Sequence, residues 1–417
     1  MDSFIIKGPS KISGCAEISG SKNSALPIIF STILTEQKCE IKNVPQLSDI
    51  KSSFDILSYI GKNCFYSLNT FISDEKHRLK TEAPYDMVRK MRASVLVSGP
   101  LLARFGHVKF AMPGGCAIGV RPIDIHLDGF KKMGANIEFE QGYVILKAKK
   151  LKPTSLSLKF PSVGATENLM MAAAITNGCT IINNAAKEPE IVDLARVLNL
   201  MGAKIEGAGT DRVKINGCKK LKGFNYKVMS DRIEAGTFLI LCAACGGELE
   251  VKNINPEIIS ILIEKLKESG AELVIEKDCI KIKSPKKIKP VSISTGPYPE
   301  FPTDLQAQWM AYMCLAKGSS NIIESIFENR FMHAAELMRM GADIKIKHNK
   351  AIINGVDKLI GAPVMASDLR AGAALLIGAA AAFGESIVKR IYHIDRGYEK
   401  IEEKMRAIGV NIKRIKE

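Results

Sequence analysis

The sequence predicts an α/β protein of two similar domains, each made of three copies of one β-α-β-α-β-β unit packed round buried helices. Three observations predict it. A glycine turn recurs six times at nearly constant spacing, a strongly apolar helix pattern precedes each turn, and short alternating strands lie between them.

The turn appears as Ile60-Gly61, Met133-Gly-Ala-Asn-Ile137, Met201-Gly-Ala-Lys-Ile205, Ser269-Gly-Ala-Glu-Leu273, Met340-Gly-Ala-Asp-Ile344 and Ile408-Gly-Val-Asn-Ile412. Its glycines fall at 61, 134, 202, 270, 341 and 409, so successive copies lie 73, 68, 68, 71 and 68 residues apart. Glycine at such a place marks a helix end, because it takes the left-handed cap without steric cost. The helix it ends is amphipathic, as in residues 257–269, and should lie half exposed. Residues 25–34, 93–104, 165–176, 235–244, 305–317 and 371–384 are instead apolar nearly all round, which in a globular chain means burial on every side. Runs such as Gly142-Tyr-Val-Ile-Leu-Lys-Ala148 and Cys279-Ile-Lys-Ile-Lys283 alternate and read as half-buried strands. Three units round a common axis enclose three buried helices in a wall of sheet, and six units make two domains.

The starts of the buried helices form a second register. Lys22, Arg92, Ser162, Arg232, Asp304 and Arg370 lie 70, 70, 70, 72 and 66 residues apart. Helix N-termini offer free N–H groups and the positive end of the dipole, which suits phosphate and carboxylate. Two domains facing each other with these ends inward would line a cleft with Lys22, Arg92, Arg121, Arg232, Arg370 and Arg396, fit for a highly anionic small molecule. Asp304 is the carboxylate in a register that is mostly basic. It should be ionised and can accept a proton, or it can cap its helix, or both.

Composition narrows the classes. A chain of 417 residues is too long for one ordinary core and suggests two or three domains. The net charge of +15 raises nucleic acid as a partner, yet the lysines of Lys147-Ala-Lys-Lys-Leu-Lys152 carry no interleaved aromatics, so no nucleic acid is expected. The start Met1-Asp-Ser-Phe-Ile-Ile-Lys7 is not a signal peptide, and residues 371–384 are too short to cross a bilayer, so a cytoplasmic protein without a membrane partner is expected. The ten cysteines show neither zinc spacing nor disulfide density, and Cys242-Ala-Ala-Cys245 lies in an apolar helical run where core packing is the better reading. No metal or organic cofactor is expected.

One loop concentrates the reactive chemistry. Met112-Pro-Gly-Gly-Cys-Ala-Ile-Gly-Val-Arg-Pro122 holds Cys116 where prolines and glycines exclude helix and strand, with Arg121 five residues on. A nearby cation favours thiolate, the nucleophilic form.

With these strings on view, the chain resembles the UDP-N-acetylglucosamine 1-carboxyvinyltransferases of the EPSP synthase family. The resemblance runs through Ser19-Gly-Ser-Lys-Asn-Ser-Ala-Leu-Pro27, Met91-Arg-Ala-Ser94, Met112-Pro-Gly-Gly-Cys116, Arg121-Pro-Ile-Asp124, Phe301-Pro-Thr-Asp304, Phe327-Glu-Asn-Arg-Phe-Met332, Ser367-Asp-Leu-Arg370 and Ile391-Tyr-His-Ile-Asp-Arg-Gly-Tyr398, essentially the whole chain. It implies a two-domain inside-out α/β barrel. Residues 21–228 would form the domain with the Cys116 loop, and 1–20 plus 229–417 the domain with Asp304, Arg370 and Arg396. The implied reaction moves the enolpyruvyl group of phosphoenolpyruvate to the 3-hydroxyl of UDP-N-acetylglucosamine and releases phosphate, through a tetrahedral ketal, in the first committed step of peptidoglycan synthesis. No obligate protein partner is implied.

Residue by residue, the resemblance implies that Lys22, Arg121 and Arg396 hold phosphoenolpyruvate with help from Arg92 and Arg370. Asn23, Ser162, Val163, Gly164, Asp304 and Ile326 would meet the sugar nucleotide, and Pro122, Ile123, Asp124 and Ile125 would bind substrate. Asp304 would be the base, and Cys116 the acid or a covalent nucleophile. Ser48 and Phe160 stand where the family usually has lysine, which bears on nucleotide affinity, and Lys159 is next to the second.

Overall fold

The structure, a computed structural model of the chain, describes residues 2–89, 91–112 and 123–416. They form two compact units, one of residues 2–19 and 230–416, the other of residues 20–112 and 123–229.

The second of these carries α1 (Lys22–Ser31), α2 (Ser48–Ile60), the short α3 (Tyr85–Val88), α4 (Ser98–Phe105), α5 (Asp124–Lys132), α6 (Val163–Ala174) and α7 (Pro189–Met201). The first carries α8 (Arg232–Cys245), α9 (Ser260–Glu268), α10 (Thr303–Met313), α11 (His333–Arg339), α12 (Leu369–Ala381) and α13 (Ile401–Ala407). Helices α8, α10 and α12 pack on one another, as do α1, α4 and α6 with the 3-10 turn Arg92–Val97. The residues of α1, α6, α8, α10 and α12 are buried almost without exception, which matches the apolar runs that predict them. One boundary differs: residues 93–104 are not a single α-helix. Pro100 has no N–H to give, so the α ladder starts only at Ser98, where that proline falls in a first turn that needs no donor.

The six turn glycines close the half-exposed helices with φ between 90° and 114°. A side chain there would be strained whatever the space around it. Elsewhere glycine serves close approach. A Cβ on Gly99 would stand 2.3 Å from Asn168 Oδ1, so α4 can lie against α6 only without one.

Around the buried helices stand six four-stranded sheets among the described residues, all with one topology. The sheet Ser155–Ser157, Gly178–Asn183, Arg212–Gly217, Lys204–Glu206 shows it: the first pair is parallel across the buried helix α6, and the other pairs are antiparallel. Three sheets borrow a strand from far along the chain. Asp2–Gly8 pairs with Gly384–Lys389 and Asn411–Lys416, Cys15–Glu17 with Glu248–Lys252, and Asn225–Lys227 with Cys39–Lys42. Backbone bonds from Ser21 N–H to Met229 O (2.7 Å) and from Asp231 N–H to Ser19 O (2.9 Å) hold the segments beside these strands.

One charged cluster lies inside the unit of α1–α7. Glu75 receives both Nη groups of Arg104 at 2.6 and 2.9 Å and lies 3.4 Å from Lys62 Nζ, with Arg104 also donating to Ile33 O. Burial lowers the Lys62 pKa and Glu75 opposes that shift. Glu75→Gln would leave buried Lys62 facing a neutral amide and Arg104 with only the exposed Glu36 carboxylate, 3.1 Å away. It should cost this unit about 3–5 kcal/mol, read as an earlier denaturant transition; an unchanged midpoint would mean that the cluster contributes nothing to stability.

Candidate active site

The strongest site geometry is built on the starts of α10 and α12. Thr303 opens α10 after Pro302, so Asp304 is the second helical residue and not the cap. Its carboxylate is free to reach sideways. Oδ1 accepts from Arg330 Nη2 at 3.0 Å and Oδ2 from Arg370 Nη2 at 3.1 Å. Both arginine side chains are 4% exposed and Asp304 is 29% exposed, so two desolvated cations hold a carboxylate that a substrate can still reach. Opposite charge at this distance keeps Asp304 ionised.

Each arginine is itself fixed. Asp368 caps α12 by accepting from the N–H groups of Arg370 and Ala371 at 2.9 and 3.1 Å. Burial works against the Arg370 cation, but Asp304, Tyr398 and Asp231 outweigh it and hold the group above its ordinary range. Arg330 also reaches Thr303 O, and its guanidinium lies over the Phe327 ring. Arg330 Nε and Arg370 Nη1 are buried and carry no hydrogen-bond partner in the described structure. Spare buried N–H donors beside a carboxylate form a site that an incoming oxyanion would complete.

Glu324 braces the same corner. It is 2% exposed, accepts from Thr303 Oγ1 at 2.9 Å, and takes the backbone N–H groups of Ile326 and Phe327 at 2.8 and 3.1 Å. The predicted substrate contact Ile326 is thereby tied to the start of α10. Arg232, the first residue of α8, is 8% exposed and lies over the Tyr298 ring. Arg396 ends the 3-10 turn Ile391–Arg396 and is half-buried.

In the other unit, Lys22 opens α1 and is 9% exposed, with Nζ 3.4 Å from Asp49 Oδ2 in the first turn of α2. Asn23 follows it, half-buried. Ser162 caps α6 through Ala165 N–H, leaving Val163 and Gly164 in the first turn, whose N–H groups have no carbonyl within the helix to meet. His126 lies beside Gly164; burial first and Arg92 second push its pKa down to about 3, so it is neutral. Ile123 caps α5, Asp124 is exposed, and Ile125 lines a small cleft with Leu156, Leu158 and Lys159. Ser48 and Phe160 are exposed, and Lys159 is paired with Asp128 at 3.2 Å. Cys116, Arg121 and Pro122 lie outside the described residues.

Residues 6–405 match the family described as EPSP synthase (3-phosphoshikimate 1-carboxyvinyltransferase). Proteins named UDP-N-acetylglucosamine 1-carboxyvinyltransferase from Geobacter metallireducens and Geotalea uraniireducens are 51% and 52% identical over 417 residues, covering all of both chains. The chain belongs to the EPSP synthase family. Its fold is that of the enolpyruvyl transferase NikO from Streptomyces tendae, with a TM-score of 0.90 at 23% identity over 99% of this chain and 98% of that one. An EPSP synthase from Acinetobacter baumannii aligns over the full length of both chains with a TM-score of 0.77 at 20% identity.

Within the unit of α8–α13 the structure joins Asp304 to Arg370 as neighbours. It adds Arg330 and Glu324, which the sequence reading did not single out. Arg330 stood only inside the string Phe327-Glu-Asn-Arg-Phe-Met332, and no spacing set it apart. The Asp49 partner of Lys22 also went unread, because 27 residues separate the two.

Helix α6 carries one more charged group behind its start. Glu167 is 4% exposed, and burial first, then Glu190 and Glu188, raise its pKa well above the carboxyl range. Its native form therefore keeps its proton to higher pH than the unfolded chain, which releases it near pH ~4.3. The sign follows: stability from this group is greatest below that pH and falls as pH rises toward the raised native value. Glu167→Gln should flatten this decline and raise the unfolding midpoint at neutral and alkaline pH. Parallel pH–stability curves for the two proteins would contradict it.

Proposed function

We propose that this chain transfers the enolpyruvyl group of phosphoenolpyruvate to the 3-hydroxyl of UDP-N-acetylglucosamine, releasing phosphate, in the cytoplasm. The observation that carries the chemistry is Asp304 held between two buried guanidiniums at a helix start. The acceptor rests on relatives of that name that share about half of their residues with this chain from end to end.

The roles follow from what each step needs. The sugar hydroxyl adds through its oxygen to the enol carbon of phosphoenolpyruvate, so its proton must go to a base and the methylene carbon must gain one from an acid. Asp304 takes the first, being ionised and within reach of solvent. Cys116 supplies the second, and its thiolate can alternatively add to phosphoenolpyruvate. The tetrahedral ketal then loses phosphate and a methyl proton, which restores the double bond.

Lys22, Arg121 and Arg396 hold the phosphate and carboxylate, with Arg92, Arg370 and the unpartnered Nε of Arg330 beside them. The planar fork of arginine matches both oxyanions. Asn23, Pro122, Ile123, Asp124, Ile125, Ser162, Val163, Gly164 and Ile326 meet the sugar nucleotide, with its diphosphate suited to the open first turn of α6. In this reading residues 21–228 supply the Cys116 loop, and residues 1–20 with 229–417 supply Asp304, Arg370 and Arg396.

The test is phosphate release from phosphoenolpyruvate. It should require UDP-N-acetylglucosamine, and equal release with shikimate 3-phosphate would overturn the assignment. In the same assay Cys116→Asp should keep turnover, resist thiol alkylation and work best at lower pH, whereas Cys116→Ser should be almost inactive. Full activity in Cys116→Ser would remove the acid role.

A further inference from the structure

One buried acid ties the turn that carries Ile326 to the helix that carries Asp304. Glu324 follows the strand Ser319–Ile323 and is 2% exposed. Arg330 and Arg370 commit their Nη2 groups to Asp304, so among the described residues only neutral donors hold the Glu324 carboxyl group. Oε1 accepts from the N–H groups of Ile326 and Phe327 at 2.8 and 3.1 Å, and Oε2 from Thr303 Oγ1 at 2.9 Å.

The two oxygens have different tasks. Oε1 closes a local turn, and Ser325 inside that turn is pinned from the other side. Its N–H donates to Thr295 Oγ1 at 3.0 Å and its hydroxyl donates to Thr295 O. The N–H of Ile326 is thereby used within the turn. What Ile326 keeps for a ligand is its carbonyl oxygen, which accepts from no described residue and can receive an N–H or O–H of the sugar nucleotide.

Oε2 reaches out of the turn to α10. Thr303 stands directly before Asp304, and the Arg330 Nη2 that donates to Asp304 Oδ1 also meets Thr303 O at 3.4 Å. The bond from Thr303 Oγ1 to Glu324 therefore sets the free Ile326 carbonyl at one distance from the Asp304 carboxylate.

We propose that Glu324 is a positioning residue for the enolpyruvyl transfer, its link to Thr303 holding the turn of Ile326, and with it the acceptor sugar, in register with the base Asp304. The proposal rests on the function assigned above. Glu324 is buried and acts through Ile326 and Thr303. What matters is its span from the turn to α10, so a shorter acid should fail where an amide of the same length succeeds.

The experiment measures steady-state phosphate release with each substrate varied in turn. Glu324→Asp can still take the N–H groups of its own turn, as aspartate commonly does, but falls one methylene short of Thr303. Thr303→Val cuts the same bond from the other end. Each should raise KM for UDP-N-acetylglucosamine about 10-fold, the scale of one buried hydrogen bond, with KM for phosphoenolpyruvate within about 2-fold of wild type. The double variant should cost no more than about 2-fold beyond either single one, because both remove one interaction. Glu324→Gln keeps the length and can donate to Thr303 Oγ1, so it should bring KM back to within about 3-fold of wild type. Loss of folded enzyme would lower kcat alone, so a fall in kcat with both KM values in place would overturn the proposal. Losses that multiply in the double variant, or Glu324→Gln as impaired as Glu324→Asp, would overturn it too. If Glu324→Asp does not fold, Thr303→Val carries the test with Thr303→Ser as its rescue, and equal KM values in those two would overturn it. Failure of the functional assignment looks different, because the wild-type chain itself would then release no phosphate with these substrates.

Discussion

The structure depends most on the grip of Arg330 and Arg370 on Asp304. A buried guanidinium without a partner is expensive, and two of them sharing one carboxylate are tolerable only when every element around them is fixed. That requirement explains the neighbourhood. Asp368 caps the helix that carries Arg370, Glu324 joins Thr303 to the backbone ahead of Arg330, and Tyr398 and Gln308 brace the interior side. The arrangement leaves one donor on each arginine unused and the carboxylate partly open. It is stable as a fold and incomplete as a hydrogen-bond network, which is the condition a site for an anionic substrate should meet.

The two units solve the same packing problem with different polar centres. Helices apolar on every side have no reason to stop at one register, so each unit places a buried polar side chain between neighbouring elements of its core. In one it is Tyr398. In the other it is Asn168 of α6, which accepts from Gly99 N–H at 2.8 Å and whose Nδ2 lies within hydrogen-bond distance of Ser98 Oγ, Val95 O and His126 Nδ1. An amide nitrogen cannot accept, so Nδ1 of the neutral His126 is bare and Nε2 carries its proton. Satisfied polar centres of this kind cost little and penalise any slip of one helix past another.

What the sequence reveals is whatever repeats or is local. Gly61, Gly134, Gly202, Gly270, Gly341 and Gly409 each require the same left-handed cap, so the six-fold period is visible without any structure, and the helices it predicts are present. The buried helices show through their uniform apolarity, although Pro100 shifts one start into a 3-10 turn. Partnerships across long separations are invisible in the residues alone. Asp304 pairs with Arg330 and Arg370, 26 and 66 residues away, and the charge of Asp304 suggests capping as readily as pairing. The resemblance supplied the substrates and Pro122, whereas the loop's own prolines, glycines and cation singled out Cys116 and Arg121; on all three the described residues are silent.

In the proposed reaction the Asp304 carboxylate takes the proton of the attacking hydroxyl, and single-turnover phosphate formation by Asp304→Asn is the decisive check. The amide keeps the shape of the side chain and loses its capacity as a base. With UDP-N-acetylglucosamine still bound in calorimetry, the rate should fall by about 10²–10⁴-fold, the span expected for loss of a general base. A single-turnover rate within about threefold of the wild-type chain would contradict it.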